Sequence, residues 1–134
     1  MTDDKVKKLF EYWKLGSVDD FASAEDILTK THRYAQGLFF IHLSIEKALK
    51  AAVVLKTKQH APMTHNLSYL AQKAELTLNQ DQIVSLSEIN SFNMSMRYPD
   101  QLEKSRERAD QQTAQRILEK ARELHGWIFQ SFKN

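Results

Sequence analysis

The segment INSFNMSMRYPD, Ile89–Asp100, gathers polar groups suited to holding an anion. On a helix, Leu86, Asn90, Asn93 and Arg97 fall on one line at three- and four-residue steps, polar toward its C-terminal end. Two amides and a guanidinium on one face match a phosphate or a carboxylate, because arginine presents a rigid fork of donors. A structural reading is equally plain. An arginine in a last helical turn complements the macrodipole, and Pro99 would stop the helix at or before Tyr98.

A second polar line lies in LFFIHLSIEKALKA, Leu38–Ala51, where His42, Glu46 and Lys50 stack at four-residue spacing. Glu46 and Lys50 form an i,i+4 pair, worth about 0.2–0.5 kcal/mol at a surface. By itself this line reads as a solvated salt-bridge ladder. The neighbouring Phe39 and Phe40 argue instead for partial cover, by the domain itself or by a second subunit. A third group is PMTHNL, Pro62–Leu67, which sets Thr64 and His65 just ahead of a helix capped by Asn66. A histidine there prefers the neutral form and can accept or relay a proton.

Other chemistries find no support. The chain has no cysteine, which removes thiolate nucleophiles, disulfides and cysteine-based zinc sites. His60 and His65 without an organised carboxylate set make a poor metal site, so neither metal nor other cofactor is expected. No Walker A loop, GxGxxG, HExxH or GxSxG motif occurs.

The elements that must position these groups are helical. With 134 residues, three glycines and two prolines, the composition predicts one domain, 1–134, of long helices with few turns. No segment alternates with period two, so no strand is expected. The first helix should run from about Asp3 to Lys30, with a kink or short break at Gly16-Ser17. Val6, Leu9, Phe10, Trp13, Phe21, Ala24 and Leu28 would form its buried face. A second follows with the stripe Tyr34, Leu38, Ile41, Ile45, Ala48, Ala52 and Leu55. After a loop over Gln59–Thr64 comes a short helix capped by Asn66. Asn79 and Gln82 resemble a capping box opening a fourth helix to about Met96, with Ile83, Leu86, Ile89 and Phe92 on its apolar face. The last helix should begin between Ser105 and Asp110 and run to about Phe132, with Ile117, Ala121, Leu124, Ile128 and Phe132 inward. The fold class is an all-α up-and-down bundle of four main helices plus one short one.

Nineteen lysines and arginines against seventeen acidic residues give a net charge of +2, short of the basic face of a dedicated DNA binder. Clusters at Lys5–Lys8, Lys47–Lys58 and Lys104–Arg108 read as solvated helix faces. No run approaches the ~20 apolar residues of a membrane span, MTDDKVKKLF is not a signal peptide, and the lack of disulfides fits a reducing compartment. A cytoplasmic protein with no membrane contact is expected.

LFFIHLSIEKALKA, PMTHNLSYLA (Pro62–Ala71), INSFNMSMRYPD and HGWIF (His125–Phe129) occur in the order and spacing of HEPN-domain proteins. The chain resembles that family, in its RYPD-containing type, over nearly its whole length. The resemblance implies a small helical bundle, often a homodimer, commonly associated with a minimal nucleotidyltransferase and with nucleotide or RNA as ligand. Many members are RNases of toxin–antitoxin or defence systems. Their motif is an arginine followed by a histidine, with four to six residues between. From Arg97 that histidine would fall at Leu102, Glu103 or Lys104, and none is histidine. An arginine alone is a poor proton shuttle.

The resemblance therefore implies a HEPN frame without the nuclease pair. Its matching blocks make Glu46, Lys50, His65, Asn93, Arg97, Tyr98 and Asp100 the candidate ligand-binding residues, with Glu46 orienting Arg97 and Lys50 joining it in an anion site. Two other readings stay open: a metal-independent RNase using a nonstandard acid–base pair such as His65 with Arg97, and a purely structural or regulatory dimer in which Glu46 and Arg97 only tie helices together.

Overall fold

The computed structural model describes residues 1–93 and 99–133 of the chain. They contain no strand, and their helices are α1 (Asp3–Lys30), α2 (Tyr34–Thr57), α3 (Leu67–Lys73), α4 (Gln80–Asn90), α5 (Pro99–Arg108) and α6 (Gln111–Ser131). The all-α bundle expected from the sequence is the fold observed.

Local chemistry sets the ends of these helices. Thr2 accepts from the Lys5 amide at the start of α1, beside Asp3 and Asp4, and Lys30 lies in its last turn. Acids at the N-terminus and a base at the C-terminus both complement the helix dipole. α2 ends where Lys58 turns left-handed, at φ 60°, and sends its amide to the Val54 carbonyl. Asn66 caps α3, and the Asn79–Gln82 capping box of α4 is fully formed. Asp110 caps α6 by accepting from the Thr113 amide.

α1 and α2 form a long hairpin, and α2 also packs against α6, α3 and α4. That central position explains its burial. The predicted stripe residues Leu38, Ile41, Ile45, Ala48 and Ala52 are buried, but so are Leu49, Ala51, Val53 and Val54 on other faces. Each large aliphatic side chain so enclosed contributes about 1.5–3 kcal/mol. Ile117, Ala121, Leu124 and Ile128 of α6 close the core from the other side. Among the described residues, no helix is long and apolar enough to cross a membrane.

The structure departs from the sequence expectations in four places. α1 runs unbroken through Gly16-Ser17. Glycine at 16 admits the Lys47 stem, whose Cδ would lie 3.1 Å from an added Cβ. Ser17 is buried and satisfied across the hairpin: its hydroxyl donates to the Ser44 carbonyl at 2.7 Å, and the Ser44 hydroxyl donates to the Ser17 carbonyl at 2.8 Å. α4 ends at Asn90 rather than near Met96, so Asn93 lies past the helix and does not continue the line of Leu86 and Asn90. Ile83 is 45% exposed instead of facing the core. Pro99, read as a stop, is the first residue of α5, a helix in addition to the five expected. Proline suits that position because its missing N–H needs no helical partner there.

Candidate functional site

The polar line of α2 is not a solvated ladder. His42, Glu46 and Lys50 are 0%, 5% and 8% exposed. Taking these groups from water is costly unless each is paired, and the structure supplies partners for all of them except His42 Nδ1. Lys50 Nζ donates to Glu46 Oε2 at 2.9 Å and lies 5.0 Å from the centroid of the Trp13 ring on α1. The aromatic face and the carboxylate together replace much of the hydration that the ammonium loses.

The other carboxylate oxygen reaches across the fold. His65, in the loop before α3, donates from Nδ1 to Glu46 Oε1 at 2.8 Å. Because that nitrogen carries the proton, the neutral ring presents its other nitrogen, Nε2, as an acceptor. The His65 side chain is 45% exposed, and Nε2 makes no hydrogen bond to the described residues. A carboxylate thus fixes the orientation of a half-exposed imidazole.

His42 and Asn90 hold the loop that carries His65. His42 Nε2 donates to the His65 carbonyl at 3.2 Å, which places its proton on Nε2. Asn90 Oδ1 accepts from the Leu67 amide at 3.1 Å, and Asn66 caps the turn that follows. His42 Nδ1 is buried without a hydrogen bond, 3.9 Å from Glu46 Oε1. Burial lowers the His42 pKa, outweighing the opposing pull of Glu46. The ring is therefore neutral near pH 7, with Phe39 lying parallel to it.

A separate polar knot ties α6 to the α1–α2 hairpin. Ser17 already gives its proton to Ser44, so His125 Nε2–H donates to the Ser17 oxygen at 2.9 Å. Burial pushes the His125 imidazole down to about 4, and its ring stacks on Phe129 at 4.3 Å.

Of the residues singled out from the sequence, the structure brings together Glu46, Lys50 and His65. Asn93 follows α4 outside any helix. Arg97 and Tyr98 lie outside the described residues, as does the side chain of Asp100, whose backbone belongs to α5. Both oxygens of Glu46 are engaged by Lys50 and His65. The contact of Trp13 with Lys50 and the loop-holding role of His42 come only from the fold. His42 was visible in the four-residue spacing, whereas nothing local to Trp13 announced Lys50 as its neighbour.

The arrangement can do two things chemically. As an imidazolium the fixed ring can donate Nε2–H to a phosphate oxygen, and in its neutral form it can accept a proton at Nε2. Among the described residues, no group of three histidine or acidic side chains is placed to hold a metal ion.

No curated protein and no solved structure matches the chain. A family model described as HEPN domain matches residues 10–131. That match runs from the first third of α1 to the end of α6 and contains every residue of the His65 cluster. The chain therefore belongs to the HEPN domain family, whose roles are nucleotide- and RNA-related.

Proposed function

We propose that this chain is a non-catalytic HEPN binding module that engages the phosphate of a nucleotide or nucleic acid, with His65 as a contact group. The observation that carries the reading is the 2.8 Å hydrogen bond from His65 Nδ1 to the buried Glu46. It orients the ring at no further entropic cost when a ligand arrives, and leaves Nε2, which donates to a phosphate oxygen when the ring is the imidazolium, for the ligand. Lys50 plays a supporting part: its ammonium is held by Glu46 and Trp13. The family resemblance adds Asn93, Arg97, Tyr98 and Asp100 as further ligand residues, and a nucleotidyltransferase in a toxin–antitoxin or defence setting as partner of a homodimer.

The test is fluorescence anisotropy with labelled short RNA, with unlabelled nucleotides as competitors. His65→Ala should weaken binding about tenfold or more, the scale of one charge-assisted hydrogen bond. Equal affinity in His65→Ala, or no binding by the wild type, would refute the assignment.

One observation favours a second reading, metal-independent RNA cleavage. An imidazole braced by a carboxylate at one nitrogen and open at the other is the arrangement of a general base. Against it stands the missing histidine after Arg97 at Leu102, Glu103 and Lys104. Cleavage of RNA in EDTA, abolished by His65→Ala, would favour catalysis; intact RNA after prolonged incubation favours the binding module.

A further inference from the structure

Two of the three glycines have a packing reason. A Cβ on Gly37 would overlap Leu28, and one on Gly16 would press on Lys47. Gly126 has none: a Cβ there meets nothing within 4 Å. Glycine is among the poorest formers of a helix interior, yet Gly126 stands well inside α6. What it borders is a cavity of about 340 Å³ between α1 and the end of α6, also lined by Phe10, Lys14, Phe129, Gln130, Phe132 and Lys133.

The walls of this cavity have a definite chemistry. Phe10, Phe129 and Phe132 are only partly buried, and Phe132 meets the other two rings at 5.0 Å each. Two lysines flank the rings. Lys14 Nζ sits 5.8 Å from the Phe10 centroid, and neither Lys14 nor Lys133 has an ion-pair partner among the described residues. Gln130 adds an amide that both donates and accepts, which suits the edge of a heterocycle. Aromatic faces beside unpaired cations are how proteins hold single bases sequence-tolerantly, and the volume falls within the range of small-molecule sites.

We propose that this cavity binds an aromatic base carrying a phosphate, with the base against the phenylalanines, the phosphate on Lys14 and Lys133, and the opening maintained by Gly126. The proposal goes beyond the His65 reading and does not depend on it. The ligand is either a free mononucleotide or the phosphorylated end of a single strand, since both present the same chemistry.

Amide-resolved NMR titration tests it, with adenosine monophosphate, adenosine, inorganic phosphate and a short 5′-phosphorylated RNA as separate probes. Shifts should centre on Phe10, Gly126 and Phe129, and adenosine or phosphate alone should bind at least about tenfold more weakly than the nucleotide. Gly126→Phe fills the cavity and Lys14→Glu reverses its charge. Each should weaken binding about tenfold, while His65→Ala leaves these shifts unchanged. Lys14→Glu, at a partly exposed position, keeps the test valid if the bulky substitution disturbs α6. Tighter binding of the RNA than of the mononucleotide identifies a strand end; the reverse identifies a free nucleotide. No shifts with either probe, undiminished binding in both variants, or shifts abolished by His65→Ala would overturn the proposal.

Discussion

Glu46 and His65, 19 residues apart in the chain, meet at 2.8 Å where α2 passes behind the loop leading into α3. One carboxylate oxygen serves His65 and the other serves Lys50, so a single buried acid joins a loop group to a helix cation. Removing any member leaves the others short of a partner in a place where water cannot fully substitute.

Glu46→Gln tests that dependence. The amide is nearly isosteric, but it has only one acceptor oxygen and cannot serve both donors. Loss of the charge beside the mostly buried Lys50 should cost about 2–4 kcal/mol in urea unfolding. Adding Lys50→Met should recover at least ~1 kcal/mol, because the stranded cation is then gone. Strict additivity of the two changes would show that the pair is not coupled.

Asn90→Ala should loosen the start of α3. It removes the acceptor for the Leu67 amide, and a partly buried donor left unsatisfied costs about 1–3 kcal/mol. Hydrogen exchange at Leu67 should accelerate in step, and Asn90→Asp, which keeps an acceptor, should restore much of the protection. Unchanged exchange in Asn90→Ala would show that the cap contributes nothing.

The histidine knot makes stability depend on pH. The His125 pKa falls from 6.5 to about 4 on folding, and His42 is lowered too, in both cases chiefly by burial. A depressed folded value means that the unfolded chain takes up the proton first. The contribution is therefore complete above pH 6.5 and is lost as the pH falls toward about 4, at roughly 1.4 kcal/mol per pH unit for each proton taken up. His125→Phe keeps a ring to stack on Phe129 and abolishes the titration. Its unfolding free energy should vary less than that of the wild type between pH 6.5 and 4, and an identical slope would contradict the assignment.

The glycines should respond oppositely to alanine. At Gly37 a methyl group would overlap Leu28 and lie 3.3 Å from Ile27 Cγ2, where overpacking costs typically ~1–3 kcal/mol. At Gly126 it meets nothing, and the gain in helix propensity is about 1 kcal/mol. Melting temperatures should fall for Gly37→Ala and rise for Gly126→Ala. A fall for both would mean that Gly126 has a packing role of its own.

The sequence by itself determined the helical character, the caps at Asn66 and Asn79, the aliphatic stripe of α2 and the family. These are local or periodic features: a cap depends on residues three apart, and a buried face on a 3.6-residue repeat. It also singled out Glu46, Lys50 and His65. Only the tertiary structure decided that their line is enclosed, because α2 packs against all five other helices and a single-helix pattern does not register how many neighbours it will have. Likewise, only the fold brings Ser17 of α1 to His125 of α6, 108 residues away, and seats Lys50 against Trp13. Such pairings are set by which helices lie side by side, and no local spacing encodes that.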